Sequence, residues 1–270
     1  MPEPSPVAPF TALVLAGSRP GGDALAAAHG VPRKALIPIA GVPMLVRVLT
    51  ALREARSVGR IYLCGIEPEQ LAAAGIADPI SEDAEAWLPA AAHPSESVVA
   101  ALDRLGSDRP ILVTTGDHAL LSAEIVDAFC AAALAAGADV AAGVVEAETV
   151  RAAHPHARRT FYALRDGAYT GCNLFAFIGA AGRRAAVAWR EVELHRKRPW
   201  RVIALLGPAM LVRFALGRLD LDGAVGSLSR RLGVEARAIR LAFAEAGIDV
   251  DKPDDVDLAG EILAARAERG

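Results

Sequence analysis

The residues of this chain that can do chemistry fall where apolar runs end. The stretch "TALVLAGSRPGG", residues 11–22, is an apolar run that breaks into a glycine-bearing loop, and the backbone N–H groups of such a loop can face an anion. Spacing excludes two well-known phosphate loops. Gly17 to Gly22 gives G-x-x-x-x-G, but Asp23 stands where a P-loop needs Lys, and its carboxylate would repel phosphates. The dinucleotide fingerprint G-x-G-x-x-G fails at Arg19. What remains is an anion-facing loop that carries Arg19 and is followed by the Arg33-Lys34 pair. Further on, "VTTGDHALL" places Asp117 at the end of another apolar run, and "GIDVDKPDD" carries Asp249 and Asp251 in D-x-D spacing.

These residues need elements to hold them, and the chain supplies alternating strands and helices. "TALVLA" (11–16) reads as a strand buried on both faces. "PMLVRVLTALREAR" (43–56) starts with Pro and sets Leu45, Val48, Leu49 and Leu52 at helical spacing. "RIYLCG" (60–65) reads as a second strand, and "SVVAALDRLG" (97–106) as a helix closed by glycine. "PILVTTGDHALL" (110–121) is a strand that breaks at Gly116-Asp117, and "AEIVDAFCAAALAAG" (123–137) is a helix. The alternation predicts an α/β layered fold with a mostly parallel sheet. Open sheets of that kind bind ligands at the carboxyl ends of their strands, where Asp117 falls. After "ADVAAGVVE" (138–146), two β-like runs flank Asp166-Gly167 within "RTFYALRDGAYTGCNLFAFI" (159–178), a hairpin signal. A helical stretch at about 183–231 follows, then a short strand in "GIDVDKPDD" and a last helix from near Pro253.

Composition narrows the function classes. The 270 residues are 53% apolar, enough for one large core, and the formal charge of -3 gives no basic field for a nucleic-acid partner. Cys64, Cys130 and Cys172 are widely spaced and lack a CxxC pair, which argues against disulfides or a thiolate metal site and fits a reduced cytoplasm. "MPEPSPVAP" has neither the basic nor the apolar region of a signal peptide. Residues 1–10 read as a disordered lead-in to a single domain over 11–270, with the helical stretch as an insertion. "VIALLGPAMLVRFAL" (202–216) contains Pro208 and Arg213 and is shorter than the ~20 residues that a spanning helix needs.

Four segments, "LVLAGSRPGG", "KALIPIAGVPML", "VTTGDHALL" and "IDVDKPDDVDLA", occur in the order found in the MobA-like nucleotidyltransferases, which the chain resembles from Leu13 to Ala259. That family includes molybdenum-cofactor guanylyltransferase and sugar-1-phosphate cytidylyl- and uridylyltransferases. The resemblance implies a three-layer α/β/α sandwich with a mixed, mostly parallel sheet of the nucleotide-diphospho-sugar transferase type. It implies that Leu15, Ala16, Gly17, Ser18, Arg19, Gly21 and Gly22 surround the nucleotide, that Lys34 meets the triphosphate, and that Asp117 holds Mg²⁺ with Asp251 as second ligand. Asn173 in "TGCNLF" matches a family segment that faces the acceptor. The chain departs from the family pattern at Ser18, which replaces a glycine, at Arg19, which comes early, at His118-Ala119 and at Lys252.

The chemistry accounts for these residue types on its own terms. Attack by an acceptor phosphate on the α-phosphorus of an NTP joins two anions, so the site must neutralise charge. Mg²⁺ takes few protein ligands, one or two carboxylates besides phosphate oxygens and water. Asp117 and Asp251 suit that need, with Asp249 a third candidate on the same strand face, and Lys34 adds a mobile positive charge. Ser95 and Ser97 stand at a helix start, as caps or as base or ribose contacts, and Arg159 is a candidate for the acceptor's phosphate. His154 and His156 have HxH spacing without a third ligand nearby. The expected reaction is Mg²⁺-dependent NMP transfer to a phosphorylated small-molecule or lipid-like acceptor, by a monomer or homodimer. Two other readings stand beside it: a GT-A-type glycosyltransferase using a sugar nucleotide, and a non-catalytic nucleotide-binding module. Against the first, the D-x-D falls near the C-terminus and Thr115-Gly116-Asp117 is not one. The segment 193–219, with His195, Arg196, Lys197, Arg198 and Arg201 ahead of an apolar run, is either packed structure or a surface for acceptor or anionic lipid.

Overall fold

A computed structural model describes residues 10–17, 22–76, 86–106, 109–195 and 207–268, with side chains throughout these except at 188–195. In its first half the elements run β1 (Phe10–Leu15), α1 (Ala24–Ala28), β2 (Pro38–Ile39), β3 (Val42–Pro43), α2 (Met44–Glu54), β4 (Val58–Cys64), α3 (Pro68–Ala73), β5 (Trp87–Leu88), α4 (Pro94–Leu105), β6 (Ile111–Thr115) and α5 (Ala123–Ala135). The second half adds β7 (Val140–Glu146), α6 (Ala147–Ala153), β8 (Tyr162–Leu164), β9 (Gly167–Phe177), α7 (Gly179–His195), α8 (Pro208–Ala215), α9 (Leu221–Leu232), β10 (Ala236–Arg240) and α10 (Pro253–Ala267). The main sheet has the order β10-β7-β9-β6-β1-β4-β5, with β8 added to β9. Strand β9 runs antiparallel to β6, β7 and β8, while β1 pairs in parallel with β4 and β6, β4 with β5, and β7 with β10.

Alternation along β1 sets the layering. Phe10, Ala12 and Val14 enter one apolar cluster with Val48, Leu49 and Leu52 of α2 and Ile125, Val126 and Phe129 of α5. Leu13 enters another, with Val98 and Leu102 of α4 and Ala186 of α7. Successive side chains of a strand face opposite ways, so helices are needed on both faces, and the three-layer α/β/α sandwich with a mixed sheet follows. A third cluster joins Ile37, Ile39, Met44 and Leu120 to Ile248, Val250, Ala259 and Ile262, and so fastens the C-terminal segment and α10 to the carboxyl edge of the sheet.

Several expectations change in detail. The predicted short strand around 249–251 does not form: the backbone follows a 3-10 turn (Ala244–Gly247) and runs extended without a ladder. Burial of Ile248 and Val250 holds it there, helped by a hydrogen bond from the Val250 N–H to the Asp117 carbonyl at 3.4 Å. The helical stretch starts earlier than 183, and Ala186 of α7 belongs to the core, so its first part is a layer of the sandwich. Strand β10 was not anticipated, because "ARAIR" interrupts its apolar positions with Arg237 and Arg240. Charge of that kind suits an edge strand. The lead-in through residue 9 and the basic cluster at 196–201 lie outside the described residues. Among those described, no helix is long and apolar enough to cross a membrane.

Gly65 follows β4 with φ +88°, and a Cβ there would come within 2.6 Å of the Gly17 Cα and 3.0 Å of the Ala90 Cβ. Gly65→Ala combines a left-handed backbone with a clash against the loop after β1. The variant is expected to lose about 2 kcal/mol or more in urea unfolding, and a loss below measurement error would show that the two loops do not depend on this approach.

Candidate functional site

Three parallel strands deliver their ends to one edge. Strand β1 opens at Ala16-Gly17, β4 at Gly65 and β6 at Gly116-Asp117, and the Ala16 N–H donates to the Cys64 carbonyl while that of Gly116 donates to the Leu15 carbonyl, both at 2.8 Å. Lys34 begins a 3-10 turn (Lys34–Leu36) whose Ala35 and Leu36 are buried. A Cβ on Gly116 would lie 2.9 Å from the Ala35 Cβ, so glycine at 116 lets this turn close down on the end of β6. Lys34 thereby reaches Asp117. Asp251 arrives from the opposite side of the sequence, just ahead of α10. There the Asp255 carboxylate accepts the N–H groups of Asp251 and Lys252, each at 2.9 Å. Asp255 thus caps the helix.

The Lys34 Nζ lies 2.7 Å from Asp117 Oδ2 and also donates to Asp251 Oδ1. Burial works against the ammonium charge, but the two carboxylates outweigh it and push the lysine pKa up. Asp117 Oδ1 is buried and has no hydrogen-bond partner, an arrangement that is unfavourable for a carboxylate oxygen unless a cation or donor completes it. A positive charge already sits between two carboxylates here, and an acceptor oxygen stands ready beside it. That donor set fits Mg²⁺, a hard ion satisfied by one or two carboxylates. Among the described residues no three His, Cys, Asp or Glu side chains converge as a metal-binding group.

Asp249 takes no part in that pair. Its carbonyl accepts from an Arg159 guanidinium nitrogen at 3.0 Å, its Oδ1 pairs with the other terminal nitrogen of Arg159, and its Oδ2 accepts from Asn173 Nδ2 at 2.8 Å. Burial raises the Asp249 pKa, with Arg159 opposing and Asp117 and Asp251 adding to the rise. Asn173 sits in β9 with φ +51°. It lies two residues before Phe175, which pairs with Val113 of β6, so it is level with the β6 end. Arg159 and Asn173, expected at the acceptor, and Asp249, expected at the metal, therefore hold one another. The two aspartates of the D-x-D have separate partners, Lys34 for Asp251 and Arg159 with Asn173 for Asp249.

The remaining candidates divide. Leu15 and Ala16 close β1, Gly17 is exposed beyond them, and Gly22 has φ +82°, whereas Ser18, Arg19 and Gly21 lie outside the described residues. Asp23 caps α1 by accepting from the Leu25 and Ala26 N–H groups, which accounts for an acid at the would-be P-loop lysine position. Ser95 is fully buried. The Ser97 hydroxyl accepts from the Ala91 N–H at 2.9 Å and donates to the His93 carbonyl, so it shapes the loop ahead of α4. His154 lies 3.9 Å from Glu245. Sequence reasoning missed His118, which is 1% exposed beside Asp117. Burial lowers its pKa to about 4, against Asp117 and the backbone of Glu245 and Ala246.

Residues 12–198 match the family model of the MobA-like NTP transferase domain. The chain belongs to that family. This nucleotidyltransferase is 34% identical to a hypothetical transferase from Thermus thermophilus, over 91% of this chain and 98% of that one, with a TM-score of 0.75. Its fold also matches a CMP:2-keto-3-deoxy-manno-octonic acid synthetase complexed with CTP (13% identity, 95% and 98% covered, TM-score 0.54). A third likeness is to a 4-diphosphocytidyl-2C-methyl-D-erythritol synthase from Anaerococcus prevotii (11% identity, 94% and 96% covered, TM-score 0.55). No curated protein matches the transferase significantly.

Two predictions test this geometry. Arg159→Leu leaves the largely buried Asp249 carboxylate without its cation, with only Asn173 still donating to it, and is expected to destabilise the transferase by about 3 kcal/mol. The double change with Asp249→Asn should recover much of that, and strict additivity in denaturant unfolding would show that the two side chains are not coupled. His118 stays unprotonated in the fold down to about pH 4 but takes up a proton near 6.5 when unfolded. The unfolded state therefore binds more protons between these values, and stability falls as pH drops. The contribution lost by pH 4 is about 3 kcal/mol. His118→Phe should flatten that part of the stability–pH curve, and an unchanged slope would clear His118 as its source.

Proposed function

We propose that the transferase moves an NMP from an NTP to a phosphorylated acceptor and releases pyrophosphate, with Mg²⁺ held by Asp117 and Asp251. The observation that carries this reading is the meeting of Lys34, Asp117 and Asp251 at the carboxyl edge of the sheet, where β1, β4 and β6 end together. Mg²⁺, when bound, would withdraw charge from the phosphate oxygens around the α-phosphorus. Backbone N–H groups at Gly17 and Gly22, which flank the loop after β1, are the proposed contacts to the phosphates. Lys34, on a flexible stem, offsets the charge that develops on the leaving pyrophosphate. An oxygen of the acceptor phosphate forms the new bond to the α-phosphorus as the bond to the bridging oxygen of pyrophosphate breaks. The acceptor phosphate is already ionised, so no side chain has to remove a proton. The Arg159–Asp249–Asn173 cluster keeps the 248–251 segment against the sheet and so positions Asp251.

The octonic acid synthetase, a protein of the same fold, is complexed with CTP, which supports a nucleotide as substrate. The direct test is a screen of the four NTPs against pooled phosphorylated acceptors, small-molecule and polyprenyl, reading Mg²⁺-dependent pyrophosphate. One NTP should give release that depends on acceptor, and Asp117→Asn should lose at least about a hundredfold in kcat/KM, the scale of one removed electrostatic contact to a transition state, with its circular dichroism unchanged. Release by Asp117→Asn near the wild-type rate would take Asp117 out of the mechanism. Transfer from sugar nucleotides alone would replace the proposed reaction with glycosyl transfer.

A further inference from the structure

Lys34 contacts both carboxylates that are proposed to hold the divalent cation. Its ammonium lies between Asp117 Oδ2 and Asp251 Oδ1. The Lys34 side chain is 15% exposed and that of Asp251 is 54% exposed, so the ammonium sits below the rim and solvent reaches the pair from the Asp251 side. A divalent ion held by the same two carboxylates, through the unpartnered Asp117 Oδ1 among others, would stand close to that ammonium, where like charges repel strongly. A triphosphate changes the balance, because it offers the ammonium new anionic partners within reach of a four-carbon stem with three rotatable donors.

Resting on the proposed function, we infer that Lys34 guards the metal site: it is handed from the two carboxylates to the triphosphate as metal and nucleotide arrive together, and the metal binds weakly until then. Lys34 is thereby a positioning residue before the reaction and a phosphate ligand during it. Removal of its charge unblocks the carboxylates, an effect opposite in sign to that expected if Lys34 helped to build the metal site.

The test uses the full chain without nucleotide or acceptor, titrated with Mn²⁺ and followed by the electron paramagnetic resonance of the free ion. Lys34→Met and Lys34→Gln are each expected to bind Mn²⁺ at least about tenfold more tightly than the wild type. Equal or weaker binding by variants with wild-type circular dichroism overturns the inference. If neither variant folds, acetic anhydride labelling of the wild type, read by mass spectrometry, decides, with exposed Lys252 as internal reference. Labelling of Lys34 relative to Lys252 should stay the same when Mg²⁺ alone is added. A rise with Mg²⁺ alone means that the metal displaces Lys34 unaided and overturns the inference. Because no nucleotide is present, a failed pyrophosphate screen counts against the proposed function and leaves these readouts unaffected.

Discussion

Three carboxylates, those of Asp117, Asp249 and Asp251, meet at one edge of the sheet, and mutual repulsion is the constraint that the site must satisfy. Two cations answer it from different directions. Lys34 bridges Asp117 and Asp251, and Arg159 binds Asp249 through both its backbone carbonyl and its side chain. Removing water from one such charge without a partner costs several kcal/mol, so each cation is as much a condition of the fold here as a feature of the chemistry. The rise in the Asp249 pKa from burial, with contributions from its two acidic neighbours, marks the same strain.

The apolar framework decides which charges can meet. Parallel pairing of β1 with β4 and β6 aligns three strand ends, and Gly65 and Gly116 let loops close on one another at distances that a side chain would forbid. The cluster around Met44, Val250 and Ile262 pulls the C-terminal segment across the same edge. Residues separated in sequence by as much as Lys34 and Asp251 are thereby brought into contact by hydrophobic packing, and the ion pair follows from it. Asp255 takes over the helix cap and leaves the Asp251 side chain to face Lys34.

Much of this architecture is legible in the sequence because it is written in local patterns. The β1 and β6 runs, the helical spacing of α2 and the turn signal at Asp166-Gly167 are each contained within a few residues, and the structure reproduces them. Lys34 and Asp117 could be named because they sit beside motifs of fixed spacing. What could not be read was who pairs with whom. Arg159, Asn173 and Asp249 are scattered singly through the chain, and only the placement of β9 antiparallel between β6 and β7 brings Asn173 level with Asp249. Strand β10 was hidden for a related reason, since an edge strand needs only one well-buried face and its exposed arginines obscure the alternation.

The D-x-D at Asp249 and Asp251 shows how far spacing misleads when partners are unknown. With Ile248 and Val250 buried beneath them, both aspartates face away from the apolar cluster as the alternation requires. Yet Arg159 and Asn173 draw the first inward, while Lys34 takes the second. Counted together, three carboxylates and two cations leave the cluster with one net negative charge. A cluster of that sign disfavours a polyanion, so Lys34 alone does not offset a triphosphate at this edge, and the charge balance of the three aspartates with Lys34 and Arg159 bears as directly on binding as on the fold.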